Sequence, residues 1–117
     1  MVRLLVAFAV VVVLVGLFLV LRPDPRAAGS RERTFEVFVE DGGMVPRELR
    51  VGEGDRVTLE VGADEPVELH IHGHGVELDA GPGGGAVVAF KAGLTGRFGI
   101  ENHRSGREVG TLVVGPR

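Results

Sequence analysis

Cysteine, tryptophan and tyrosine are all absent from this chain of 117 residues. Without cysteine there is no disulfide, no cysteine-based zinc site, no thiol nucleophile and no cysteine for a lipid anchor. Redox compartment therefore cannot be read from thiol usage. Six phenylalanines are the whole aromatic content, so any core must be built from Val, Leu, Ile and Phe, and a domain this small buries only a modest share of its surface. Lysine occurs once, at Lys91, against twelve arginines. After Gly29 the chain carries ten basic and 15 acidic side chains, interspersed, for a net charge of −5. That balance argues against nucleic acid as a partner, which calls for a basic patch. No Ser/His/Asp arrangement and no pocketed carboxylate pair is placed by motif, so the chain is not expected to be an enzyme.

What is present begins with an uncharged run from Leu4 to Leu21, interrupted among bulky apolar residues only by Gly16. As a helix this run spans roughly 27 Å, close to a bilayer core of about 30 Å. It is longer than the h-region of a signal peptide, about 7–15 residues. Ala27-Ala28-Gly29 has the small residues of a cleavage site, but Arg22-Pro-Asp-Pro-Arg26 separates it from the run. The expectation is an uncleaved transmembrane anchor over residues 1–21, a Pro/Gly/Ser/Arg-rich linker over 22–32 and a folded domain over 33–117. Arg22, Arg26, Arg31 and Arg33 outnumber Arg3, and the positive-inside rule read alone would leave the domain in the cytoplasm.

From Thr34 onward the hydrophobic period is two. Phe35, Val37 and Val39 alternate with Thr34, Glu36, Phe38 and Glu40, and Asp41-Gly42-Gly43 ends the strand. Further short strands follow at Pro46–Val51, Val57–Val61, Val67–Ile71, Val76–Leu78, Ala86–Phe90, Arg97–Ile100 and Gly110–Val114. Gly81 to Gly85 is a loop with no helix after it to cap a phosphate. Seven or eight short strands, with turn signals about every 8–12 residues and no helical period after residue 30, predict an all-β sandwich of Greek-key type behind one N-terminal transmembrane helix.

The chemistry concentrates in Glu68-Leu-His-Ile-His-Gly-His-Gly75. On a strand, alternate side chains share a face, so His70, His72 and His74 would point one way while Leu69 and Ile71 are buried on the other. Rings two residues apart, with Cβ atoms roughly 6–7 Å apart, can converge on one ion. His103, far along the chain, could join them, and Glu68, Glu77, Asp79, Glu101 or Glu108 could add an oxygen. Nitrogen and oxygen donors without sulfur suit Cu(II), Zn(II) or Ni(II), with Cu(II) favoured by intrinsic affinity. Gly73 and Gly75 would let the backbone bend to close the three rings on one centre. The alternative is a solvated strand face that carries His by accident, on a module that binds no metal.

Val51-Gly-Glu-Gly-Asp-Arg-Val-Thr-Leu59 resembles the turn and strand that precede the first copper-ligating histidine of a cupredoxin, and His70 follows at a fitting distance. Gly81-Pro82-Gly83, Phe90, Ala92-Gly-Leu-Thr-Gly96-Arg-Phe98, Phe98-Gly-Ile100-Glu-Asn-His103 and Glu108-Val-Gly110-Thr-Leu-Val-Val114 continue the likeness. It covers Thr34 to Val114 and is carried on to small membrane-anchored members that lack the copper-ligating Cys. The resemblance implies a cupredoxin-like sandwich in the periplasm or outside the cell, with a membrane or copper-handling protein as partner. It also places Ile100 where the thiolate would be and Glu108 where the axial Met would be, so a blue-copper carrier is not expected. Copper held by histidines alone is the expectation, and a metal-free structural or interaction module is the alternative.

Overall fold

Alternating apolar residues become nine strands in the computed structural model, which describes residues 2–21 and 30–117. In chain order these are β1 (Glu32–Glu40), β2 (Gly43–Val45), β3 (Glu48–Gly52), β4 (Arg56–Ala63), β5 (Val67–Ile71), β6 (Val76–Ala80), β7 (Ala86–Lys91), β8 (Gly96–Asn102) and β9 (Arg107–Gly115). Before them, α1 (Val2–Leu21) has no buried side chain and is long and apolar enough to cross a membrane. The expected linker falls mostly on residues 22–29, outside the described residues, and so does the Ala27-Ala28-Gly29 cleavage signal. β1 starts at Glu32, the last residue assigned to that linker.

Eight of the strands lie where alternation places them. The ninth is β2, whose three residues are too few for a period to register. It forms because Asp41 and Gly42 take positive φ (51° and 75°) and fold the chain back, so that Val45 pairs with Phe38 and Met44 with Val39. The strands make two sheets, ordered β2-β1-β4-β7 and β3-β9-β8-β5-β6. The chain crosses between them at β2 to β3, β3 to β4, β4 to β5, β6 to β7 and β7 to β8. The result is an all-β sandwich behind a single apolar helix.

Inward positions build one core. On β4 Val57, Leu59, Val61 and Ala63 are buried, while the residues between them face out. Leu49, Ile71, Ile100 and Leu112 are among the most completely buried side chains of the other sheet. Each such aliphatic side chain stabilises the fold by about 1.5–3 kcal/mol relative to exposure.

One corner of the sandwich is closed by a polar group. Asp55 is 0% exposed and accepts hydrogen bonds from the backbone N–H of Gly52 (2.8 Å) and of Arg31 (2.9 Å) and from the Arg117 guanidinium. It thus ties the start of β1, the β3–β4 turn and the C-terminus together. Burial alone pushes the carboxyl pKa up, but the two N–H donors and the Arg117 charge outweigh it, and the net shift is downward.

Candidate metal centre

The parity argument holds for two of the three clustered histidines. Leu69 and Ile71 are buried in the core, and His70 and His72 face outward from the second sheet. His72 sits just past the end of β5, where its N–H still reaches the carbonyl of Gly99 at 3.0 Å and so holds strand alignment. Gly73 then breaks the pattern with φ +80°, and a Cβ at this position would lie 2.4 Å from the Phe98 ring. Only glycine fits both conditions. The bend does not close three rings on one centre. It carries His74 to an apolar site, edge-on to Phe98 (4.6 Å between centroids) and tilted against Phe90 (5.8 Å). Both His74 ring nitrogens are buried there, without a hydrogen-bond partner among the described residues.

His103 takes its place beside the others. In the sheet, β8 lies antiparallel to β5 with His70 opposite Glu101 and Leu69 opposite Asn102. The N–H of His103 donates to the carbonyl of Glu68 (2.8 Å), which sets His103 on the outer face one step further along. Its ring lies 5.0 Å from that of His70, tilted by 59°, and His70 in turn stacks on His72 at 4.8 Å and 15°. Three imidazoles from two strand ends thus form a continuous group.

Carboxylates surround this group. The His72 Nε2–H donates to Glu101 Oε2 at 2.8 Å, which leaves Nδ1 of a neutral ring as a lone-pair donor. Glu77 lies across from His70 in the sheet, and its Oε1 is 3.5 Å from His70 Nδ1. That separation is too poorly aligned to be a hydrogen bond, and the shielded Nδ1 has no other partner. Asp79 opposes Glu68 on the same two strands. Glu108 lies over Gly99, its Oε1 only 1.9 Å from where a Cβ there would sit.

Asn102, which the sequence reading passed over, organises the loop that presents His103. Its Oδ1 accepts from the N–H of Glu68 (3.1 Å) and of Arg104 (3.2 Å), and its carbonyl accepts from the N–H of Gly106 (2.8 Å). The available signal was an Asn three residues before Ser105-Gly106, at the head of a turn where its side chain bonds local backbone.

A thiolate copper centre does not fit these residues. Ile100, at the position the resemblance gives to the thiolate, is 2% exposed and belongs to the core. The imidazole and carboxylate donors are chemically suited to Cu(II), Zn(II) or Ni(II). As placed, though, His70 and His72 stack face to face, and among the described residues no three His, Asp or Glu side chains form a group ready to hold a metal ion.

No protein-family model matches the chain, and no curated protein does either. Among solved structures, the chain is similar to one from the cryo-EM structure of a heme-copper terminal oxidase dimer, with a TM-score of 0.55 and 18% identity. The alignment covers 97% of this chain and 92% of the other, so it takes in the helix as well as the sandwich. At that identity the likeness is one of fold: a β-sandwich behind one apolar helix.

Proposed function

We propose that this chain is a cupredoxin-like domain tethered to a membrane by α1, with its sandwich in the periplasm or outside the cell. It takes one divalent metal, copper first, on His70, His72 and His103, without a blue-copper centre and without catalysing a reaction. One observation carries the reading: three imidazoles gather on the outer face of one sheet, and Glu101 holds the Nε2–H of His72. Metal-binding histidines commonly donate their second ring N–H to a carboxylate, which fixes the tautomer and raises the basicity of the other nitrogen. Glu101 would play that part, and Glu77 would offer an oxygen next to His70. His74 has no role in this site.

Copper fits the nitrogen and oxygen donor set and its position in the affinity order. The fold likeness to a chain of a heme-copper oxidase is consistent with that metal and with a partner that is a membrane or copper-handling protein.

Calorimetric titration of the full chain in detergent with Cu(II) and Zn(II) tests the reading. We expect a single site, tighter for Cu(II), weakened about 10–100-fold by Glu101→Gln and abolished by the triple change of His70, His72 and His103 to Ala. Equal heats from wild type and the triple variant would sink it. The second reading, a metal-free interaction module, is favoured by the lack of a ready three-donor group among the described residues, and that same null titration would support it. Orientation has its own test: protease added to spheroplasts should remove the sandwich, and protection until lysis would place it in the cytoplasm.

A further inference from the structure

The outer face of the four-stranded sheet breaks the alternation that the rest of the sandwich obeys. Phe38 (43% exposed), Val45 (57%) and Val87 (71%) project from it, and Leu94 is the only other large apolar side chain exposed among the described residues after Ser30. Register brings them together. Phe38 pairs with Val45 on one side and with Gly62 on the other, and Val87 pairs with Glu60 one row away. The Phe38 ring lies across Gly62, where a Cβ would meet it at 3.0 Å. Together they line a shallow, open groove of about 650 Å³ that runs across the sheet from edge strand β2 to edge strand β7.

Among the described residues its charge is of one sign: Glu36, Glu40 and Glu60 line the groove, and no arginine, lysine or histidine does. Glu36 and Glu60 are direct cross-strand neighbours on the outer face, an arrangement that destabilises a sheet on its own. Among the described residues none of the three carboxylates has an ion-pair partner, although Glu48, on the other sheet, pairs with Arg50 and Arg97. Apolar contact and three uncompensated carboxylates together specify the occupant.

We propose that this groove docks a segment of another protein in which apolar side chains alternate with basic ones. The apolar side chains would cover Phe38, Val45 and Val87, and the basic ones would neutralise Glu36, Glu40 and Glu60. A second copy of this chain would set acidic rim against acidic rim, and an anionic lipid surface would be repelled for the same reason. The inference is independent of the histidine cluster, which lies on the other sheet.

The test uses the full chain in nanodiscs of zwitterionic lipid, with fluorescent peptides of alternating Leu/Lys, Leu/Glu and Ser/Lys as probes. We expect the Leu/Lys peptide to bind about tenfold or more tighter than either other peptide. Val87→Arg and Glu60→Lys should each weaken it about fivefold or more, while Glu53→Lys, the same charge change on a turn outside the groove, should have little effect. Both groove positions are on the sheet surface, and circular dichroism of each variant checks that the sandwich persists. Equal binding of Leu/Lys and Ser/Lys peptides would overturn the proposal, as would equal binding of Leu/Lys and Leu/Glu, or indifference to Val87→Arg. Concentration-dependent dimerisation of the full chain that Val87→Arg abolishes would overturn it in favour of a second copy.

Discussion

The Asp55 corner and the histidine face treat buried polar atoms in opposite ways. Asp55 is fully enclosed, and its carboxylate is met by two backbone N–H groups and a guanidinium. On the other side, among the described residues, both nitrogens of His74 and Nδ1 of His70 are shielded from water without a hydrogen bond, although Glu77 lies 3.5 Å from the last of them. A buried donor or acceptor left without a partner costs about 1–3 kcal/mol, so a small sandwich with no disulfide has reason to satisfy every one. The comparison teaches that the Asp55 carboxylate is used in full to hold the fold together, while Nδ1 of His70 and the two nitrogens of His74 are not used in that way.

The largest effect expected from breaking that contrast is at the corner. Asp55→Ala strands the N–H groups of Gly52 and Arg31 and removes the partner of Arg117, and should cost about 3–4 kcal/mol in urea unfolding. Its pH dependence follows from the direction of the shift. The folded-state pKa lies below the unfolded value of about 3.9, so the contribution is complete above that value and is lost as pH falls through the folded pKa. The gap between wild type and variant should be flat from neutral pH down to about 5 and should close below about 4. A gap that persists unchanged into strong acid would mean that the carboxylate charge is not what holds the corner.

Next in size is the turn that parts the histidines. Gly73→Ala must place a methyl group against the Phe98 ring at a positive φ, and both effects destabilise. We expect a loss of about 2 kcal/mol from crowding and backbone strain together. The same change should alter the near-ultraviolet signal of the phenylalanines, because the ring of Phe98 has to move. A neutral result would show that the turn relaxes, and that the separation of His74 from His72 is not fixed by Gly73.

How far the sequence revealed all this differs residue by residue. Alternation alone puts Leu69 and Ile71 inside and His70 and His72 outside, because parity is a local property of an extended chain. His74 escapes it, since the positive φ of Gly73 leaves no mark in a hydrophobic pattern. That His103 meets His70 depends on the β5–β8 register and on the bond from the Glu68 N–H to Asn102 Oδ1, which spans 34 positions of the chain. Asp55 was visible as the Asp of a turn before a strand, but its partners Arg31 and Arg117 come from the two ends of the domain. Phe38 already stood out as an apolar residue among Thr34, Glu36 and Glu40. Only the register shows that Val45 and Val87 share its face.

The smallest effect expected is also the one that separates the two roles most sharply. His74 packs between Phe90 and Phe98, and its ring nitrogens gain nothing from that position. Replacing it with Phe keeps a flat ring of similar size and removes the two orphaned nitrogens. Fitting the slightly larger Phe ring offsets part of that gain, so His74→Phe should stabilise the sandwich by a net of about 1 kcal/mol, read as a higher urea midpoint with an unchanged slope. It should leave Cu(II) binding at His70, His72 and His103 as it was. If the variant is less stable, the nitrogens of His74 have partners that offset their burial. If it is more stable and binds metal less tightly, His74 belongs with the other three after all, and the line between the structural ring and the ligand rings has to be redrawn.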